Sequence, residues 1–150
     1  MLAKWTMPPL FTIGYEGKTL SEFLDELATA GIELLVDVRA VAASRRPGFS
    51  KTALAGAVCE RGIDYIHLRA LGTPARGREA ARKGRTAEMR AIYAEQLDTA
   101  EAQLALEQAL GAARERRAAL LCYERDAPRC HRSMLAELMA ERAGFKVRDL

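Results

Sequence analysis

Cys130, His131 and Arg132 stand in a row after a charged turn, within the stretch LLCYERDAPRCHRS from Leu120 to Ser133. The apolar LLCY reads as a buried strand, ERDAP as the turn, and the residues from Cys130 onward as a first helical turn. A helix N-terminus presents unpaired backbone N–H groups and a positive dipole end, so it draws anions and lowers a thiol's pKa. Arg129 and Arg132 add two guanidinium groups around that thiol. Cys130 is therefore either a reactive thiolate or a partly buried structural cysteine. His131 lies in the middle of the stripe of Met134, Leu135 and Leu138, so it faces the sheet. It is either a core histidine bonded to a strand-end carbonyl, to Asp37 or to Glu124, or a base beneath the strand ends. Six residues separate Cys122 from Arg129, one more than in thiol phosphatases, and packing in the core is the better expectation for Cys122.

Other strand ends carry polar groups as well. Asp37 and Arg39 are two positions apart and point to one face, as a structural ion pair or as a clamp in which Arg39 grips an anion and Asp37 orients it. Tyr15 and Glu16 follow the first strand, His67 and Arg69 the third, and Glu124 and Arg125 the fourth. Glu124 is a candidate general base or a partner for Arg132. The segment from Arg69 to Arg85 holds Gly72, Pro74, Gly77 and Gly84 among six basic residues and one acid, Glu79. It reads as a long loop, preferably a lid over the site. A nucleic-acid contact and a plain solvated loop are the alternatives, and the scarcity of aromatic residues there argues against stacking on single strands.

The elements that must position these groups follow from hydrophobic periodicity. Strands are expected at Leu10–Ile13, Ile32–Val38, Ile63–Leu68, Ala118–Tyr123 and Phe145–Leu150. Thr19 and Glu22 have capping-box spacing for a first helix that Gly31 ends. Ser50 is the expected N-cap of a second, with Phe49 and Leu54 as a hydrophobic staple. A long helical stretch from Thr86 to about Arg114 is recapped near Asp98 and Glu101, and a last helix runs from Cys130 to Gly144. Alternating strands and helices imply a single α/β domain: a mostly parallel sheet of about five strands with helices on both faces, three-layered and Rossmann- or flavodoxin-like. Such sheets bind ligands outside the carboxyl ends of their strands, where these polar groups fall.

Composition narrows the classes. The chain has 150 residues, 49% hydrophobic and 29% charged, an ordinary globular balance. Its apolar runs are too short to span a bilayer. The opening MLAKWTMPPLF places prolines where a signal peptide needs an unbroken apolar run, so a soluble, cytoplasmic protein is expected. Three cysteines without CxxC spacing and two histidines make a disulfide framework or zinc ribbon improbable, and no metal site is expected. A net charge of +3 does not by itself imply nucleic acid. With neither GxGxxG nor a phosphate-loop signature, no cofactor is expected.

The motifs TIGYEG, VDVR, SRRPGF, YIHLRALG and LLCYERDAPRCHR together resemble the recurrent motifs of the "domain of unknown function 488" family, collinearly from Thr12 to the last helix. One departure is visible: the family has a proline shortly after the arginine of DVR, where this chain has Val41 and Ala42. The resemblance implies a small α/β fold and no particular activity. The leading expectation is thus a polar cleft that binds or processes an anionic, phosphate-bearing ligand such as a nucleotide. Cys130, His131, Asp37 and Glu124 would do its chemistry, and Tyr15, Glu16, Arg39, Arg129 and Arg132 would hold the ligand. A non-catalytic nucleic-acid-binding module using residues 69–85, and an adaptor with a vestigial cleft, are the alternatives. Oligomeric state and substrate are not legible.

Overall fold

The structure is a computed structural model that describes residues 6–150. The signal-peptide reading of the N-terminus falls partly on residues 1–5, outside the described residues. In chain order the elements are β1 (Leu10–Gly14), α1 (Leu20–Thr29), β2 (Leu34–Asp37), α2 (Lys51–Glu60), β3 (Asp64–His67), a 3-10 turn at Arg69–Leu71, α3 (Ala75–Arg82), α4 (Thr86–Leu97), α5 (Ala100–Glu115), β4 (Ala118–Cys122), a 3-10 turn at Ala127–Arg129, α6 (His131–Ala143) and β5 (Val147–Asp149). None of the described helices is long and apolar enough to cross a membrane.

The five strands form one all-parallel sheet in the order β3-β2-β4-β1-β5. β1, β2 and β4 are buried along their whole length, as strands covered on both faces must be. Successive residues alternate between two apolar layers. Leu35, Ala119 and Leu121 pack with Phe23, Leu27 and Leu54 of α1 and α2. Leu34, Val36 and Leu120 pack with Tyr93, Leu106 and Leu135 of α4, α5 and α6. The result is the expected three-layer α/β sandwich.

Local signals explain most boundaries. The Thr19 hydroxyl accepts from the Glu22 amide at 3.1 Å and the Glu22 carboxylate accepts from the Thr19 amide at 3.4 Å, a complete capping box. Phe49 and Leu54 are both buried in one cluster, as a staple requires. Ser50 stands at the N-cap of α2, but its hydroxyl closes the preceding loop instead, accepting from the Ser44 amide at 3.0 Å. The break between α4 and α5 is capped by Thr99, whose hydroxyl accepts from the Ala102 amide at 3.2 Å, rather than by Asp98 or Glu101.

The largest departure is the segment read as a loop. Residues 75–82 form α3, and only Gly77 and Ala80 are buried on it. A helix that docks through glycine and alanine leaves no apolar stripe to read. Pro74, counted as a loop residue, is its N-cap.

Register sets the strand ends level: Gly14 lies opposite Cys122, and Asp37 opposite both Leu121 and His67. β2 continues to β3 on one side of the sheet and β4 to β5 on the other, so their outgoing connections diverge above the β2–β4 seam, the position where such sheets open a crevice. Two glycines let the surrounding loops close in. A Cβ on Gly14 would stand 1.7 Å from the Glu124 carbonyl oxygen, and one on Gly72 would stand 2.2 Å from the Ala40 nitrogen. Gly14→Ala should therefore lower stability by about 3 kcal/mol, the upper end of overpacking costs. Gly111→Ala, in mid-α5 with open space around it, should raise it by about 0.5–1 kcal/mol. Urea denaturation of the two variants checks both; equal midpoints would contradict the close approach at β1.

Candidate functional site

The polar groups at the strand ends divide into two clusters, one on each side of the sheet. On the α6 side, Cys122 ends β4 with the parity of Leu120 and points toward α6. Cys130 is the N-cap of α6 and His131 its first residue. The His131 Nε2–H donates to the Val38 carbonyl at 2.9 Å, and the ring's Nδ1 faces Cys122 Sγ at 3.5 Å and Cys130 Sγ at 3.6 Å. A carbonyl only accepts, so Nε2 must carry a proton and Nδ1 is left to the sulfurs. The Cys122 thiol also reaches Glu124 Oε2 at 3.4 Å. Tyr93 packs edge-on to the imidazole and donates to the Leu71 carbonyl at 2.7 Å.

This enclosure moves the titrations apart. Burial pushes the Cys122 thiol up, and its hydrogen bond to Cys130 adds to this. Burial also opposes ionisation of Cys130, but the Cys122 hydrogen bond together with the charges of His131 and Arg132 holds Cys130 below the usual thiol range. Burial opposes protonation of His131, and the neighbouring Cys130 thiolate outweighs it, so His131 is raised. Glu124 is raised chiefly by burial. With two thiols sharing one imidazole, the pair titrates as a unit.

On the α1–α2 side, Asp37 is fully buried and pairs twice with Arg39, Oδ1 accepting from Nε at 2.9 Å and Oδ2 from Nη2 at 2.7 Å. Tyr65 donates to Oδ2 at 2.5 Å, and Arg39 Nη1 donates to the Phe49 carbonyl at 2.7 Å and to Tyr15 Oη at 3.4 Å. Burial opposes the Arg39 charge, but Asp37 holds its pKa above the ordinary value. Burial and then the bond to Asp37 raise Tyr65. Tyr15 is stacked on Phe49 with centroids 4.5 Å apart. This cluster is a fully matched ion pair under aromatic cover.

A cleft of about 830 Å³ opens above both clusters. Tyr15, Glu16, Arg39, Glu124, Arg129 and His131 line it, and so does Cys122. The other three expected residues lie behind the lining. Asp37 is beneath Arg39, and Cys130 is buried behind Cys122 and His131. Arg132 is 0% exposed and ties down the turn after β4, donating to the Glu124 and Arg125 carbonyls, while its Nε finds no partner among the described residues. It thus meets Glu124 through the main chain, not the carboxylate. Glu16 Oε1 accepts from the Arg125 amide at 2.9 Å and holds the same turn.

Sequence reasoning set Cys122 in the core, missed Tyr65, and read the arginines of α3 as part of a basic loop, a lid or a nucleic-acid contact, rather than as a helix. Cys122 has the parity of Leu120, which was legible, but which sheet face α6 covers was not. Tyr65 sits two residues before His67, its hydroxyl assigned only by the pairing of β3 with β2. Arg78 and Arg82, four apart on α3, line the cleft with Gly77 and Ala81, a stripe hidden by the loop reading.

A family model described as "Domain of unknown function DUF488" matches residues 19–139 of the chain. No curated protein and no solved structure matches it.

The buried Asp37–Arg39 pair yields a direct test. Removing one partner leaves the other charge uncompensated, so Asp37→Asn should cost about 3–5 kcal/mol. The double change Asp37→Leu with Arg39→Met should recover most of that loss. A double-mutant cycle in urea measures it; additive losses would mean the two side chains do not depend on each other.

Proposed function

The chain belongs to the family of the domain of unknown function DUF488, a membership that carries no activity with it, and we propose its function from the cleft. It binds a small phosphate-bearing or otherwise anionic ligand, such as a nucleotide, above the carboxyl ends of β2 and β4. The observation that carries this reading is the imbalance of charge in the lining: Arg39, Arg45, Arg78, Arg82 and Arg129 against Glu16 and Glu124. Arg39 is already matched by Asp37. Arg45, Arg78, Arg82 and Arg129 have no carboxylate partner among the described residues. They come from three separate segments, so their convergence is a property of the folded cleft. Guanidinium groups with free N–H donors are suited to phosphate oxygens. Thr73 adds a buried hydroxyl that lines the cleft and has no partner among the described residues, an arrangement that costs stability until something bonds it.

Arg129 keeps the ligand-holding role in this reading, while Arg39, its donors already taken by Asp37, Phe49 and Tyr15, stiffens the wall that Tyr15 and Glu16 shape. Arg132 braces the turn from behind. Glu124, on the floor, would exchange protons with a bound ligand, while His131, whose nitrogens are taken by Val38 and the two sulfurs, and Cys130 would act through it, and Asp37 holds Arg39 in place. Three free cysteines suit a reducing, cytoplasmic compartment.

The nucleic-acid reading draws less support. The outward charges of the 69–85 segment are largely matched, Lys83 with Glu79 at 2.9 Å, Arg85 with Glu88 at 3.7 Å and Arg76 with Glu95 at 4.0 Å. Of its arginines without a carboxylate partner among the described residues, Arg78 and Arg82 line the cleft, while Arg69 is exposed outside it.

Inorganic phosphate and nucleotides should raise the melting temperature in a thermal-shift titration. Arg82→Ala and Arg129→Ala, both at exposed positions, should each weaken binding about tenfold without changing the ligand-free melting temperature, the worth of one charge-assisted hydrogen bond. No shift with any of these anions, or unaltered affinity in both variants, would overturn the reading.

A further inference from the structure

We propose that Cys122, Cys130 and His131 form a zinc site at the floor of the cleft, with the two sulfurs and His131 Nδ1 as ligands and a fourth position facing the cleft beside Glu124. The three ligand atoms lie within 4.8 Å of one another. Tetrahedral zinc holds sulfur at about 2.3 Å and nitrogen at about 2.0–2.1 Å, so a sulfur and a nitrogen on one ion stand about 3.5–3.6 Å apart. Nδ1 is 3.5 Å from Cys122 Sγ and 3.6 Å from Cys130 Sγ. Both edges are those of a coordination tetrahedron.

The surroundings of His131 point the same way. A metal-bound imidazole characteristically donates its other N–H to a carbonyl or carboxylate, which fixes the ring and makes it more basic. Here that bond is made to the Val38 carbonyl at 2.9 Å, with Tyr93 closing the ring's edge. Two thiolates and an imidazole form a donor set that selects zinc over magnesium or calcium.

The fourth position is defined by which ligands reach the cleft. Cys122 and His131 line it and Cys130 does not, so the open side of the trio points upward to the cleft. Glu124 Oε2, 3.4 Å from Cys122 Sγ, stands beside that opening, either to complete the set or to accept a proton from a water bound there. Three protein ligands and one open position is the arrangement of catalytic rather than structural zinc. Binding is a substitution of protons: the Cys122 thiol proton and the one that Cys130 and His131 Nδ1 share both go to solvent as the two sulfurs and the nitrogen take the metal. No electrons move.

The site does not depend on the anion reading, and its test uses no anion. Purified chain incubated with zinc and passed through a desalting column should retain one equivalent. Cobalt(II) in its place should show thiolate-to-cobalt charge-transfer bands and the intense visible bands of four-coordinate cobalt. Cys122→Ser and Cys130→Ser should each lower zinc affinity by more than about a hundredfold, beyond what outer-shell changes cause. Cys59→Ser, on the exposed thiol of α2, should leave it unchanged. Where a site variant does not fold, X-ray absorption of the zinc-loaded wild-type chain reads the ligands directly, with two sulfurs at about 2.3 Å expected. Failure to retain zinc, coordination by nitrogen and oxygen alone, or loss of the cobalt bands with Cys59→Ser would overturn the proposal. Phosphate binding through Arg82 and Arg129 would survive any of those results.

Discussion

The hydrogen bond from His131 Nε2 to the Val38 carbonyl, 2.9 Å long, is the joint on which the site depends. It ties the first residue of α6 to the residue after β2, across the seam where the connections diverge. It also consumes the imidazole's outward proton, so Nδ1 has no choice but to face the two sulfurs. One contact therefore sets the entry of a helix, the end of a strand and the chemistry of a ring nitrogen. Without it, α6 would still pack through Leu135 and Met139 and Tyr93 would still cover the ring's edge, but the ring would lose the main-chain bond that turns Nδ1 toward the sulfurs.

Two buried cations stabilise this end of the sheet by different means. Arg39 has a carboxylate, two bonds to it and a tyrosine on the same oxygen. Arg132 has carbonyls only, and one of its nitrogens is unpartnered. Desolvating a guanidinium is costly unless charge and hydrogen bonds are supplied, so the first is a self-contained brace and the second is incompletely compensated. The charge of Arg132 is among those that depress Cys130. The matched pair stiffens one wall, while the unmatched one biases the floor toward thiolates, whether those hold a proton-sharing imidazole or a metal.

Much of the fold was legible because its signals are local or periodic. The capping box at Thr19, the staple of Phe49 and Leu54 and the apolar runs of β1, β2 and β4 depend on residues close in sequence. So did the placing of polar groups at strand ends, since period two and a parallel sheet suffice for it. The strand order did not follow, because β4 inserts between β1 and β2 and only pairing reveals that. The site suffered accordingly: Cys122 was assigned to the core since one spacing rule failed, although it is β4's neighbour relations and α6's choice of face that bring it to His131. Arg132 looked like an anion ligand from its position in the first helical turn, but that turn is covered by β1's end, where Gly14 lets it in. Helix α3 stayed hidden because small residues dock it.

That last point bears on how the two parts of the site behave. Floor groups hang from β2, β4 and α6, elements buried through the middle of the sheet. The arginine wall stands on α3 and on the residues around Arg45, which bury little: Gly77 and Ala80 are the buried residues of α3. Segments with few buried apolar contacts open at low free-energy cost relative to the global transition. Arg78, Arg82 and Arg129 line one cleft without a carboxylate partner among the described residues, and like charges gathered in this way repel. On the anion reading proposed above, a ligand with charge on more than one side would neutralise that repulsion, which suits a polyanionic phosphate group better than a single carboxylate. On that same reading, such a ligand would bridge α3 to the turn that carries Arg129, so the wall would gain more order from occupancy than the floor would.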